Sequence, residues 1–504
     1  MTATLLGIDI GTSLIKVALI DERAVCLAEV ETPVSTIMPE AGTAEQDTSA
    51  IVADVFRLIR EIAERQPSAV RHVAAIGASG QTAGAMAVDG GGAALTPWYP
   101  SGLDTRFLSQ LAEMKAKVGE ALFASNGAWP FMTPRLAWWR EVMPEVYARI
   151  AMAPSLAGFV LGSMAQDPLP AMAMDATTMT WSGAADIANR RWNRDLVRDA
   201  GLSPDMLAPD VPSLSIVGHL GESGARQTGL RQGIPLAVGI GDTVASMIGA
   251  NVLTPGEVYS VNGSFTNYLV CLDRCLIDQG TERFQPLASP IDDVWYVILY
   301  IAGGGFVHHH LAGLLSGGEG PPDYRMLDDA AALVAPGSDG LSFMPYALGR
   351  FCPPEPRASA GFHGFTLAHG RGAIWRSVLE GLSYDMLELT DGVSARIEGW
   401  RPEALRLTGG GARSALWCQL QADMLGVPAQ RFSAAGSAPI GAALAAGAAT
   451  GVWGDLRHAA AQLRIPGESF APDRARTEAY ARLVARHRRL AEELKPSWAH
   501  LAGH

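Results

Sequence analysis

Three short stretches of the chain carry residue types that could act together on a phosphate and an alcohol. The first is Asp9-Ile10-Gly11-Thr12-Ser13, followed by Lys16. Glycine lets the backbone approach an anion closely, and successive N–H groups in a tight turn make a concave anion site. Thr12 adds a hydroxyl and Lys16 adds positive charge. A carboxylate at position 9 does not belong beside phosphate unless a cation lies between them. Mg2+, which takes one or two carboxylates plus phosphate oxygens, meets that need. The same residues also suit an ordinary hairpin.

The second stretch is Gly239-Ile240-Gly241-Asp242-Thr243. An apolar strand ends in glycines and delivers a carboxylate where a helix begins, the ligand-facing place in an open α/β sheet. Asp242 either caps that helix or serves as a general base toward a substrate hydroxyl. The third is Gly409-Gly410-Gly411-Ala412-Arg413. It is either a tight strand-to-helix turn or bare backbone that seats a nucleotide at a helix N-terminus. The chain has no G-x-x-x-x-G-K-[ST] run, and the third stretch does not match G-x-G-x-x-G, so a mononucleotide site is favoured over a P-loop or a dinucleotide fold. His308-His309-His310 is not read as a metal cluster, because adjacent side chains point in different directions. Cys271 and Cys275 lack a second ligand pair for zinc, and five cysteines in 504 residues are not a disulfide framework.

The surrounding pattern supplies strands that end at these groups. Residues 5–10 and 16–21 predict paired strands about Gly11-Thr12-Ser13. Residues 49–65 predict a helix with Ile51, Val55, Ile59 and Ile62 on one face and Ser49 at its start. Residues 72–78 and 234–240 predict buried strands, the second running into a helix at 242–250. Residues 258–261 and 266–272 predict a second strand pair about Gly263-Ser264, with an apolar strand at 294–301. Residues 375–388 predict a helix with Val378, Leu379, Leu382 and Met386 inward. The strand 405–408 leads through Gly409 into a helix at 412–425 that stops at Gly426. Such alternation indicates an α/β protein. The pattern of strand, glycine turn with a hydroxyl, and strand occurs twice, at Asp9–Ser13 and at Asn262–Thr266. Two related lobes facing one cleft follow from it, divided as residues 1–251 and 252–504.

Composition narrows the partners. Lys and Arg number 39 against 51 Asp and Glu, a formal net charge of −12. A general binder of nucleic acid or of anionic membranes needs a basic surface and is not expected; an anionic substrate needs only a locally positive site. The first residues run directly into Leu5-Leu6-Gly7-Ile8-Asp9, with no basic stretch and apolar run of a signal peptide. The apolar region 150–174 is broken by Pro154, Pro168 and Pro170 and is unsuited to span a bilayer. A cytoplasmic location is expected.

Taken in order, a longer series of segments resembles the FGGY carbohydrate kinases, within the actin/hexokinase-like ATPase superfamily. It comprises Gly7-Ile8-Asp9-Ile10-Gly11-Thr12 with Lys16; Ala44-Glu45-Gln46-Asp47; Ser79-Gly80-Gln81 with Gly84; Trp98 followed by Asp104-Thr105-Arg106; Gly239–Thr243; Gly256 through Gly263-Ser264; Met344-Pro345-Tyr346; Gly361-Phe362-x-Gly364; Glu380-Gly381; Gly409–Ser414; and Gly441-Ala442-Ala443. The likeness runs from Leu6 to about Leu490 and is strongest to the xylulose-kinase-type branch.

The resemblance implies two ribonuclease H-like lobes flanking a catalytic cleft, and transfer of the ATP γ-phosphoryl group to a sugar hydroxyl with Mg2+. It makes Asp242 the catalytic base and Asp9 the metal-organising carboxylate. Gly11, Thr12 and Ser13 with Lys16, and Gly263-Ser264, become the two phosphate turns. Gly410, Gly411 and Ala412 become the nucleotide-side turn. Gln81, Thr82, Trp98 and Asp104 become sugar-side positions beside Asp242. A homodimer is common among such relatives. Thr82-Ala83 stand where xylulose kinases usually have Met-His, which leaves other acceptors open: glycerol, a tetritol, ribulose, rhamnulose or a sugar acid. Other departures are Gly349-Arg350-Phe351, Gly263-Ser264-Phe265, and Ser437 with Ala438 in place of an acidic residue. The alternative of another class is a non-catalytic, actin-like nucleotide switch. The carboxylate at 242 and the sugar-side stretches favour the kinase.

Overall fold

The computed structural model describes residues 3–40, 42–263, 265–318, 320–432, 437–463 and 467–501. The chain opens with strands β1 (Thr4–Ile10), β2 (Leu14–Asp21) and β3 (Cys26–Pro33), helix α1 (Thr48–Arg65) and strand β4 (Val73–Gly80). β1 pairs antiparallel with β2 and parallel with β4. The first sheet runs β3-β2-β1-β4, then Pro235–Ala237 and Ile216–His219, with Ile240–Gly241 also pairing β4.

Every residue of β1 is buried, because both faces of its sheet are covered. Such a strand reads as a continuous apolar run rather than an alternation. Leu6, Ile8 and Ile10 join the cluster that holds Val55 and Ile59 of α1. Leu5 joins a second cluster with Ile248, Ala443 and Leu444. Alternation along the strand puts Asp9 on the face of Leu5 and Gly7. That face is covered by helix Ser437–Ala449, which also lies against helix Asp242–Gly249. The approach is close enough to demand glycine. A Cβ at Gly7 would lie 1.8 Å from the Pro439 carbonyl oxygen, and one at Gly441 would lie 1.9 Å from that of Ala245.

The second sheet repeats the plan. Its strands lie in the order Gln285–Ala288, Trp295–Ile301, Thr266–Leu272, Glu257–Asn262, Ala404–Thr408, Ala429–Phe432 and Gly467–Phe470. Glu257–Asn262 is antiparallel to Thr266–Leu272 and parallel to Ala404–Thr408, as β1 is to β2 and β4. The chain is a two-lobed α/β protein. Among the described residues no helix is long and apolar enough to cross a membrane.

Local expectations need four corrections. α1 is capped by Asp47, whose side chain accepts from Ser49 N and Ala50 N, so Ser49 is not the cap. The strand expected at 234–240 is two pieces, because Val238 N turns away to Ser215 O (2.9 Å) and Gly239 bridges Met174. The helix expected at 412–425 begins at Ala415, after a 3-10 turn over Gly410–Arg413, with Ser414 as its N-cap. The helix expected at 375–388 extends over Arg371–Ser394 and is buried on most sides.

Candidate active site

Pairing register assembles the first carboxylate's surroundings. Asp9 lies opposite Lys16 on β2 and Ser79 on β4. Ser79 Oγ donates to Asp9 Oδ1 at 2.8 Å. Only 8% of Asp9 is exposed. Burial pushes its carboxyl up to about 7, and the charge of Asp242 adds to the rise against the Ser79 bond and Lys16. Lys16 Nζ sits 3.4 Å from Glu31 Oε2.

The turn after β1 is held tightly. Gly11 N donates to Leu14 O at 3.0 Å, which brings Thr12 and Ser13 to the tip. Gln46, fully buried, donates from Nε2 to Thr12 O (3.2 Å) and Thr36 Oγ1 (2.9 Å). Gln81 Nε2 donates to Gln46 Oε1 (2.7 Å) and Gly11 O (3.3 Å). Gln81 therefore braces the turn as well as lining a pocket.

Asp242 comes from the other side of β4. Ile240 and Gly241 pair with Ser79 and Gly80, and Asp242 is the first residue of helix Asp242–Gly249. The N-cap is Gly241, with no side-chain capping bond, so Asp242 does not cap the helix. Its Oδ1 accepts from Thr243 N (2.6 Å) and Thr243 Oγ1 (3.2 Å). The residue is half-buried, and burial pushes its carboxyl up to about 6.

A small pocket lies beside this strand end, lined by Gln81, Thr82, Trp98, Met132, Thr178 and Ser182 among others, with no charged side chain. The Trp98 backbone pairs with Gln46, and its indole N–H is buried without a hydrogen-bond partner. Asp104 does not line the pocket. It is fully buried and accepts from Ala44 N (2.9 Å), Arg106 Nε (2.8 Å) and Arg135 Nη2. Burial alone would raise its carboxyl, but these donors and charges outweigh it and hold the group below the usual carboxylate range. Asp104 fastens the loop after Trp98.

In the second lobe, Gly263 lies in the hairpin between Glu257–Asn262 and Thr266–Leu272; Ser264 lies outside the described residues. Val261 pairs with Thr408, which sets Gly410, Gly411 and Ala412 at the same sheet end as Gly263. Arg431 Nη1 donates to Ala412 O at 3.1 Å. Phe265 reaches the first lobe, its Cζ lying 3.7 Å from where a Cβ of Gly102 would be. His308 stacks on Trp417 and Tyr324, and among the described residues no group of three or more His, Cys, Asp or Glu is arranged to hold a metal.

The residue types alone did not single out Thr178, Ser182 or the pair Asp175 and Thr177. The available signal was the run of polar residues inside the apolar stretch Met172–Trp181.

Two lobes of repeated topology, with glycine turns at their sheet ends and two carboxylates on the first, define a phosphotransferase of the actin/hexokinase-like ATPase fold. Models of the FGGY family of carbohydrate kinases match this chain, the N-terminal domain over residues 4–249 and the C-terminal domain over residues 288–450. The chain belongs to the FGGY family of carbohydrate kinases, phosphotransferases with an alcohol acceptor. It is 26% identical over 446 residues to a gluconokinase of Bacillus subtilis (strain 168), covering 84% of this chain and 83% of that one. It is 26% identical over 507 residues to a xylulose kinase of Escherichia coli (strain K12), covering 98% of this chain and 100% of that one. The crystal structure of xylulose kinase from Rhodospirillum rubrum superposes with a TM-score of 0.87 at 25% identity, covering 98% of this chain and 100% of that one.

Proposed function

We propose that this kinase transfers the γ-phosphoryl group of ATP to a hydroxyl of a small neutral sugar, a pentulose such as D-xylulose, with Asp242 as general base. The observation that carries the reading is the pocket beside the strand that bears Asp242, whose lining mixes hydroxyl, amide and indole groups with apolar side chains and carries no charge. A sugar acid buried there would lack a cationic partner, and an unpaired buried charge is costly. The likeness to the E. coli xylulose kinase, which spans both chains, supports the same choice.

Phosphoryl transfer asks little covalent chemistry of a protein; positioning and charge stabilisation dominate. Asp242 accepts the proton of the attacking hydroxyl, and a carboxyl raised to about 6 is a better base near neutral pH than an ordinary one. The turn amides of Gly11–Ser13 and of Gly263-Ser264, with Lys16, receive the phosphates. Gly410, Gly411 and Ala412 seat the nucleotide. Gln81, Thr82 and Trp98 orient the acceptor, and Asp104 holds the Trp98 loop. Closure of the lobes excludes water as a competing acceptor.

Asp9 suits Mg2+. Its buried carboxyl is crowded by a second negative charge, and Mg2+ needs only one or two carboxylates beside phosphate oxygens and water. Bound Mg2+ supplies neutralisation of the triphosphate charge. The lobes divide as residues 1–251 for sugar, phosphate and base, and 252–504 for nucleotide, and the working location is the cytoplasm.

A panel of acceptors in a coupled ADP-release assay tests the reading. D-xylulose or another neutral ketose is expected to give the highest turnover. Activity on gluconate alone overturns the neutral-acceptor reading, and ATP binding with no acceptor-stimulated turnover favours a nucleotide switch.

A further inference from the structure

The strand that carries Asp242 has a second neighbour besides β4. Met174 bridges Gly239, and Thr177 Oγ1 accepts from Gly241 N at 3.0 Å. A Cβ at Gly241 would lie 2.9 Å from Thr177 O and 3.0 Å from Thr82 Cγ2, so the backbone just before the base is gripped from two sides.

The Thr177 hydroxyl is not at liberty to turn. It donates to Asp175 Oδ1 at 2.6 Å, and Thr177 N donates to the same oxygen at 3.1 Å. Asp175 Oδ2 accepts from Ser213 Oγ at 2.6 Å. Asp175 is fully buried, and burial pushes its carboxyl up against these bonds. A buried carboxylate accepting three bonds fixes the direction of each donor. With its proton committed to Asp175, the Thr177 oxygen presents lone pairs to Gly241 N–H.

We propose that Asp175 and Thr177 are positioning residues for the phosphoryl-transfer step, a relay of hydrogen bonds from Ser213 through Asp175 and Thr177 to Gly241 that sets the angle at which Asp242 enters the site. The inference rests on the reading of Asp242 as base. The relay also reaches the acceptor, since Thr178 and Ser182 of the same segment line the pocket. Base and acceptor wall are thus held by one piece of backbone. Misplacing a catalytic group by about 1 Å can cost about 10²-fold in rate.

The test compares Thr177→Val, Thr177→Ser, Asp175→Asn and Asp242→Asn, with D-xylulose or, where the panel selects another acceptor, with that one. Thr177→Val is expected to lower kcat by about 10- to 100-fold with the KM for ATP nearly unchanged. Thr177→Ser, which keeps the hydroxyl, is expected to restore kcat to within about threefold. Hydrogen exchange read by mass spectrometry is expected to show faster exchange in the peptide containing Gly241 for Thr177→Val and for Asp175→Asn. An unchanged kcat and unchanged exchange in Thr177→Val, with Asp242→Asn inactive, overturns the relay and leaves the base standing. An active Asp242→Asn overturns the base itself. If Thr177→Val fails to fold, Ser213→Ala, which removes only the outer end of the relay, takes its place: a fall in kcat with faster Gly241 exchange supports the relay, and no change in either refutes it.

Discussion

Asp9 and Asp242 stand at the ends of two strands that flank β4 on either side, and the charge of Asp242 is one reason the Asp9 carboxyl holds its proton to about 7. With strands about 4.8 Å apart, one intervening strand separates the two backbones by about 10 Å. That spacing keeps the two carboxylates within each other's field.

The proposed role of Asp242 as base can be tested without touching the pocket or the glycine turns. Asp242→Asn is expected to reduce turnover by about 10²–10⁴, with the KM for ATP nearly unchanged. Steady-state assay of the purified variant checks it, and near-normal turnover refutes the assignment.

The pH profile follows from the same carboxyl. As the proposed base, Asp242 has to be ionised to accept a proton, and burial raises it from 3.8 to about 6. kcat is expected to fall as pH drops through about 6, and the residual rate of Asp242→Asn is expected to lack that limb. A wild-type profile flat down to pH 4.5 counts against the base.

Stability has the opposite dependence at Asp9. Its folded carboxyl is raised from 3.8 to about 7, so the stability that its neutral form contributes is fully present below 3.8 and is lost as pH rises through about 7. Asp9→Asn is expected to stabilise the ligand-free protein by at least about 1 kcal/mol at pH 8, less at pH 5, while abolishing turnover. Thermal melts at the two pH values decide it; a destabilised variant at pH 8 is the contrary result.

Trp98 and Asp104 separate contact from support. Trp98 lines the pocket, and its indole N–H is buried without a hydrogen-bond partner, a donor left for an acceptor hydroxyl that seats against the ring. Trp98→Phe is expected to raise the acceptor KM about three- to tenfold, the worth of one hydrogen bond, with kcat largely kept. Asp104→Ala strands the fully buried Arg135 guanidinium and is expected to cost about 3 kcal/mol in urea unfolding. Equal stability of the two proteins removes the supporting role.

What was legible in the sequence was local. A carboxylate and glycines at a strand end announce themselves within five residues, as at Asp9–Ser13 and Gly239–Thr243. What was hidden depends on distant partners. Gly241 meets Thr177 across 64 residues, and Asp104 meets Arg135 across 31. Asp47 and Ser49 are both good capping residues, and only the geometry of the turn chose between them. Helix Ser437–Ala449 is small and apolar on nearly every side, so no periodicity could say which sheet it would cover.

That helix belongs to the second half of the polypeptide yet roofs Leu5, Ala75 and Ile248 of the first, and Trp453 beyond it donates to Glu22 O at 3.0 Å. Cutting the gene after Asn251 therefore strips the leading fragment of its cover. Made by itself it is expected to aggregate, and to recover only when residues 252–504 are synthesised alongside it, the behaviour of one cooperative folding unit despite the twofold plan.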